Sequence, residues 1–254
     1  MKKIVLAAAV MALLGGGWRT ARAQDEVTLI APGGAKAALE QLIPGFERKT
    51  GTKVRATYGS GLGTKKQVAS GDPFDVPVVQ PPYEEVLASG NVIADSAKTL
   101  ASVSVGVAVK KGSPKPDIST PEAVKKTLLA AKSIAYPDAA GGAAAGVSFE
   151  QTLKKLGIYD QMQPKIKRAQ GGAGAMKMAA SGEVELGLTF LSEMQEPGID
   201  VLGPLPKEIS PPTVLVGFLS AHAKNPTGAR ALLEYLSSSE AAAVYKAQGM
   251  QPGR

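Results

Sequence analysis

Four times along this chain a short β-rich run passes, through a turn of glycine and other small residues, into a helical pattern. The turns are Ala31-Pro32-Gly33-Gly34-Ala35, Gly59-Ser60-Gly61-Leu62-Gly63, Asp138 through Gly146, and Gln170 through Gly174. Strand, turn and helix in repeated order specify an α/β fold. In such sheets the turns after strands lie at the carboxyl edge, where ligands bind. The helix that follows presents free N–H groups and the positive end of its dipole, and glycine lets a ligand approach the main chain closely. Four such turns, two from each of two lobes, would make a cradle for a small anion. None has dinucleotide-binding spacing in context, and Gly-Leu-Gly-Thr-Lys-Lys lacks the terminal Gly-Lys-Ser/Thr of a phosphate loop.

The patterning predicts strands at Val27–Ala31, Lys53–Tyr58, Val76–Val79, Ser102–Val109, Ile134–Tyr136, Lys165–Ala169, Val184–Phe190 and Thr213–Ser220. Helices are expected over Ala35–Thr50, interrupted near Pro44-Gly45 and stopped by Gly51, and over Thr64–Ser70, Tyr83–Ser89 and Gly146–Leu156. Further helices fall at Ala175–Ser181 and as one run from Thr227 to Ala247. The clearest helix start is Thr120-Pro121-Glu122, an N-cap followed by proline and an acid in the first turn of a run to Ala131.

The chain also echoes itself. Gly61 through Asp72 aligns without gaps with Gly172 through Glu183, each reading Gly-x-Gly, helix, Ala-Ser-Gly, acid, then a strand. Two such units imply two similar lobes facing one another. Pro-rich punctuation places the crossovers at Leu100–Ser104 and Pro204–Pro212. The expected lobes are residues 24–103 with 208–254, and residues 104–207.

Composition removes whole classes of chemistry. With no cysteine among 254 residues, disulfide frameworks, thiolate metal sites and cysteine nucleophiles are excluded. A single histidine, His222, argues against a Ser-His-Asp triad and His-rich metal sites, and it reads as a surface or packing residue. No metal and no cofactor is expected. Residues 1–23 read as a secretory signal peptide: a basic Met1-Lys2-Lys3, an eleven-residue apolar core from Ile4 to Leu14, then Ala21-Arg22-Ala23. Its removal takes four basic residues and lowers the formal charge from +7 to +3. The remaining lysines are scattered pairs, so nucleic acid is not expected as a partner. The reading is of an exported, periplasmic monomer.

Other side chains have plainer explanations. Asp72 and Asp75 are a candidate carboxylate pair, although Asp72 before Pro73 is a usual turn residue. Glu193, after Phe190-Leu191-Ser192, reads as a solvated helix start. Met176 and Met178 read as helix packing.

Beyond residues 1–23, the chain resembles bacterial periplasmic solute-binding proteins of the two-lobed type that includes the molybdate-binding proteins. The resemblance rests on Val27–Ala31 with its small-residue turn, Phe46-Glu47-Arg48-Lys49-Thr50-Gly51, Tyr58-Gly59-Ser60-Gly61, Ser70 through Val76, and Ser181 through Gly187. It implies a two-lobed α/β fold with a cleft that closes on its ligand about a hinge of two crossover segments, for delivery to an ABC permease. In that family serines in the first and second turns, second-lobe amides and a tyrosine hold the oxyanion. Ser60 matches the second serine, whereas Pro32-Gly33-Gly34 replaces the first and Phe190 stands at the tyrosine. Two missing hydroxyl donors, each worth about 1.5–3 kcal/mol to a charged partner, weigh against molybdate or tungstate. Lys115 through Thr120, Ala131 through Tyr136, Leu156-Gly157-Ile158 and Gly203-Pro204-Leu205-Pro206 look like the offshoot containing organic-acid-binding proteins and periplasmic aconitate isomerases.

Turns and resemblance together place Gly33, Gly34, Ser60, Gly61, Ala140, Gly141, Gly172, Ala173 and Phe190 at the ligand. The expected function is capture of a small anion, an organic carboxylate or a molybdate-like oxyanion. The competing expectation is an isomerase acting on aconitate, which needs a base; Asp138, Glu193 and Tyr136 are the candidates.

Overall fold

The computed structural model describes residues 26–253; the expected signal segment lies outside them. In chain order the first elements are β1 (Glu26–Pro32), α1 (Lys36–Thr50), β2 (Lys53–Gly59), α2 (Gly61–Ala69), β3 (Val76–Val79), α3 (Glu84–Ala88) and β4 (Val92–Val103). There follow β5 (Val105–Lys110), α4 (Pro121–Ala130), β6 (Ile134–Pro137), α5 (Ala144–Lys155), α6 (Tyr159–Met162), β7 (Ile166–Ala169), α7 (Gly171–Ser181), β8 (Leu186–Phe190) and β9 (Ile199–Pro204). The chain ends with β10 (Thr213–Ser220), α8 (Pro226–Leu236), α9 (Ser239–Ala247) and β11 (Gln251–Pro252). Short 3-10 turns occupy Gly33–Ala35, Gln163–Lys165 and Leu191–Glu193.

The strands form two sheets, ordered β11-β4-β10-β3-β1-β2 and β7-β6-β8-β5-β9. Each contains three parallel strands, β2-β1-β3 in one and β7-β6-β8 in the other, extended by antiparallel strands. The echoed segments are therefore α2 and α7, the helices that follow the equivalent outer strands β2 and β7. Ser104 alone separates β4 in the first sheet from β5 in the second, and residues 205–212 lead back from β9 to β10.

Burial follows the patterning. Val27, Leu29 and Ala31 of β1 pack with Ala38, Leu39, Leu42 and Phe46 on one face of α1. Ile30 points the other way, into a cluster with Val79, Val216 and Phe218. In the second sheet Tyr136 and Leu188 meet Phe149 and Leu153 of α5, while Ala135 and Ala108 face Ala175, Met176 and Ala179 of α7. Each large apolar side chain buried in this way stabilises the fold by roughly 1.5–3 kcal/mol.

Several elements differ from expectation. The strands over residues 92–101 and Ile199–Pro204 are unexpected, and α2 and α7 begin at Gly61 and Gly171, ahead of the expected Thr64 and Ala175. Helix α1 runs unbroken through Pro44 to a left-handed cap at Gly51 (φ 74°). Pro44 is exposed, so the carbonyl it deprives of a partner faces water, while the buried face of the helix stays on the sheet. The run expected as one strand over Ser102–Val109 is two, divided between sheets. The helix expected from Thr227 to Ala247 breaks before Ser238, whose hydroxyl caps α9 by accepting from the Ala241 amide.

Asp75 ties the first sheet together. One carboxylate oxygen accepts from the Thr28 amide and hydroxyl, both at 2.7 Å, and the other from the amides of Lys224 (2.6 Å) and Asn225 (3.1 Å). Burial pushes this carboxyl up, but the four donors outweigh it and hold it below the usual carboxylate range. It is a structural staple, not half of a carboxylate pair.

Candidate functional site

The four glycine-rich turns meet. A cavity of about 400 Å³ is lined by Pro32, Gly33 and Gly34 after β1, Gly59, Ser60 and Gly61 after β2, Pro137 to Ala145 in part after β6, and Ala169 to Gly172 after β7. Phe190 and Glu193, from the end of β8 and the turn beyond it, complete the lining. Both sheets thus present carboxyl edges to one space, as parallel strand–helix units do. A larger hollow of about 720 Å³ lies between β5, α4 and β8 on the second sheet, and it gathers none of these turns.

Main-chain donors dominate the cavity. The starts of α5 and α7, and of the 3-10 turn leading into α1, carry no side-chain cap. Their first amides remain available to a ligand, with the positive ends of the helix dipoles behind them. Helix α2 differs. Ser60 Oγ accepts from the Gly63 amide at 3.0 Å, which leaves the hydroxyl proton free to be donated. No lysine, arginine or histidine lines the cavity. Its attraction for an anion comes from dipoles alone.

Seven of the nine expected residues line this space: Gly33, Gly34, Ser60, Gly61, Gly141, Gly172 and Phe190. Ala173 is outside the lining, though it belongs to the uncapped first turn of α7. Ala140 borders a separate shallow hollow beside Val147, Glu150 and Arg168. The amides of Ala140 and Gly141 are turned onto the Asp138 carboxylate, each at 3.1 Å, so this turn satisfies itself and its donors do not face a ligand. The next amides, at the start of α5, take their place.

The glycines are dictated by close approach. A methyl carbon at Gly34 would sit 2.8 Å from the Phe190 ring. At Gly172 it would fall 2.5 Å from Thr189 Oγ1 and 2.6 Å from Glu193 Oε2, and at Gly61 2.9 Å from Ala144 Cβ, across from the other sheet. Two hydrogen bonds span the same gap: Ser192 Oγ donates to the Gly34 carbonyl at 2.8 Å, and the Leu62 amide to the Gly142 carbonyl at 3.2 Å.

Glu193 is not a solvated helix start. The hook of Ser192 onto Gly34 carries the Leu191–Glu193 turn against the first strand–helix turn. Glu193 Oε2 lies 2.6 Å from the Thr189 hydroxyl. Burial pushes its carboxyl above the usual range, against the lowering effects of that hydroxyl and the Phe190 amide. The signal that finds it is the carboxyl-edge rule applied to β8, whose last residue is Phe190. Gln80 leaves β3 in the equivalent way and is buried behind Gly61, its amide nitrogen without a partner among the described residues.

The remaining candidates lie elsewhere. Tyr136 is fully buried against Phe149 (centroids 4.9 Å apart), bonded to Glu150 and Arg168, and burial raises its phenol. It does not reach the cavity. His222 is exposed beyond β10. Among the described residues no cluster of three or more His, Cys, Asp or Glu side chains is placed to hold a metal ion, and no helix is long and apolar enough to cross a membrane.

The pattern that defines bacterial extracellular solute-binding proteins matches residues 27–251. Over 233 residues the chain is 32% identical to an aconitate isomerase of a Pseudomonas species, covering 89% of this chain and 87% of that one. It is 30% identical over 243 residues to the molybdate-binding protein ModA of Azotobacter vinelandii, covering 93% and 94%. The fold matches that of the Azotobacter vinelandii periplasmic molybdate-binding protein with a TM-score of 0.73, at 23% identity over 88% of this chain and 98% of the other. The sulfate-binding protein SubI of Mycobacterium tuberculosis gives 0.68 at 18% identity, over 90% and 87%.

Proposed function

The chain belongs to the bacterial extracellular solute-binding proteins, and on that premise we propose that it captures a small anion between its two sheets by main-chain amides. Binding proteins of ABC transporters take up small anions and work with membrane permeases, and this chain delivers its solute to such a permease. It is exported, loses residues 1–23, and acts as a monomer with no nucleic-acid partner. Its lobes are residues 24–103 with 208–254, and residues 104–207; the partition of strands between two sheets supports that division.

The observation that carries the reading is the convergence on one cavity, with no cationic side chain, of the uncapped starts of α5 and α7 from one sheet and of the Gly33–Ala35 turn from the other. The donors are the Ser60 hydroxyl and the first-turn amides at Gly34, Gly61, Ala144 and Gly172, with Ala173 beside them. Preorganised, partly buried amides hold an anion without a counter-charge. Calorimetry on the mature protein against molybdate, sulfate, phosphate, succinate, citrate and cis-aconitate tests it. Saturable binding of one of these is expected; heat of dilution alone for every anion refutes it.

A second reading has support of its own. The 32% identity to an aconitate isomerase, with Asp138 and Glu193 in the cavity wall, favours proton transfer on an unsaturated tricarboxylate. Proton NMR of cis-aconitate with concentrated protein decides between them: trans-aconitate appears if the chain is an isomerase and does not if it only binds.

A further inference from the structure

An anion site whose titratable wall residues are two carboxyls and no base poses an electrostatic problem. Asp138 solves its own, because the Ala140 and Gly141 amides already bond its carboxylate. Glu193 has no such turn around it. Oε2 meets the Thr189 hydroxyl, while Oε1 is directed at the first strand–helix turn, where a methyl carbon on Gly33 would lie 3.4 Å away. One carboxyl oxygen of the second sheet's turn therefore faces the cavity beside the first sheet's glycines. An ionised Oε1 there repels any anion the amides attract, whereas a protonated one adds a donor to theirs.

Only the Thr189 hydroxyl and the Phe190 amide favour the charged form, and no basic side chain lines the cavity beside it. The Gly33–Ala35 turn, β8 and the first turn of α7 carry no titratable side chain. Farther along the packed elements, Lys36 of α1 is occupied by Glu40 at 3.7 Å and by the face of Tyr58. Lys177 of α7 and Lys246 of α9 are exposed to solvent. Burial accordingly raises the carboxyl.

We propose that Glu193 holds the bound solute as a neutral carboxylic acid, its O–H at Oε1 donating to a carboxylate of a small organic acid, so that capture keeps one proton on the protein. This rests on the anion-capture reading and specifies its solute class. A carboxylate is a matched acceptor, because an O–H donor and an ionised carboxylate form a short, charge-assisted hydrogen bond. Oxyanions of strong acids accept such a proton poorly. The cavity, at about 400 Å³, has room for an organic acid of several carbons.

The sign of the linkage follows. A proton retained in the complex raises the bound-state pKa above the free-state value, so affinity is complete below the free value and falls as pH rises through it, by up to tenfold per unit. The probes are succinate, citrate and cis-aconitate, titrated calorimetrically between about pH 7 and 9, where their own carboxyls are ionised. Each pH is run in two buffers of different ionisation heat, to count protons. Wild-type affinity for the carboxylate that binds is expected to fall as pH rises through the free-state value of Glu193, by up to tenfold per unit, with proton uptake rising toward one per solute. In Glu193→Gln, a permanent donor, the pH slope and the uptake vanish. A flat or rising wild-type profile overturns the proposal even if the glutamine variant does not fold. Tighter binding of molybdate or sulfate than of every carboxylate overturns the solute class. Failure of all anions to bind refutes the capture reading itself, and the proposal with it.

Discussion

Gly172→Ala is the sharpest probe of the cavity wall, with Gly174→Ala as its twin in the same helix. At Gly172 the added methyl carbon would fall 2.5 Å from Thr189 Oγ1 and 2.6 Å from Glu193 Oε2, well inside van der Waals contact. Overpacking of this kind costs about 1–3 kcal/mol, and replacing glycine returns about 0.4–1 kcal/mol through the unfolded chain. The net loss of stability is then about 0–2.6 kcal/mol, a fall of a few degrees in Tm for a chain of this size. Binding suffers more. The methyl must push the Thr189 and Glu193 oxygens toward the space the solute occupies, and affinity is expected to fall roughly ten- to a hundredfold, or about 1.4–2.8 kcal/mol. At Gly174 the methyl carbon would meet Ala169 Cβ at 3.6 Å, an ordinary contact. Gly174→Ala should gain about 0.4–1 kcal/mol of stability and bind as wild type does. Thermal melts give the first quantity, and calorimetry with the tightest-binding anion gives the second. If the two variants bind alike, the cavity bounded by Gly172 and Glu193 is not where the solute sits.

Ser60→Gly alters the α2 cap by only a few tenths of a kcal/mol but removes a hydroxyl donor, so affinity should drop roughly ten- to a hundredfold with Tm nearly unchanged. Gly61→Ala places a methyl carbon 2.7 Å from Gln80 Oε1 on its own side and 2.9 Å from Ala144 Cβ on the other side of the cleft. The closed arrangement is disfavoured by about 1–3 kcal/mol, and small-angle scattering with saturating solute should show a larger radius of gyration than wild type. Asp75→Ala strands the Thr28 and Lys224 amides and should lower stability by about 1–3 kcal/mol for each donor left unsatisfied, as read in urea titrations. Because Asp75 is held below the ordinary carboxylate value, its contribution is present above the unfolded pKa and is lost as pH falls through the folded one. The acid limb of the stability profile should therefore be shallower in Asp75→Asn than in wild type.

The turns were legible in the sequence because their chemistry is local: only small residues let helix starts crowd a ligand, and Gly34, Gly61 and Gly172 each stand where a methyl would collide. The repeat between α2 and α7 was legible for the same reason. Glu193 was not, since an acid opening a helical turn ordinarily faces water. Its burial depends on Ser192 reaching Gly34, 158 positions away. Strand β4 was missed over most of its length because residues 93–99 are mostly exposed and show no alternation. Its partner β10, rather than its own patterning, makes it a strand, with register shifts along the pair. The outward faces of the Ala140 and Gly141 amides were misjudged because an aspartate two or three residues upstream can accept from its own turn.

The bond from Leu62 to Gly142 joins peptide groups on both sides. No side chain takes part in it, but it depends on Gly142, whose backbone is left-handed (φ 80°) and where a methyl carbon would fall 2.5 Å from Leu62 Cβ. The two halves thus meet through main chain at this point, while the hydroxyl, carboxyl and ring of Ser60, Glu193 and Phe190 line the cavity beside it.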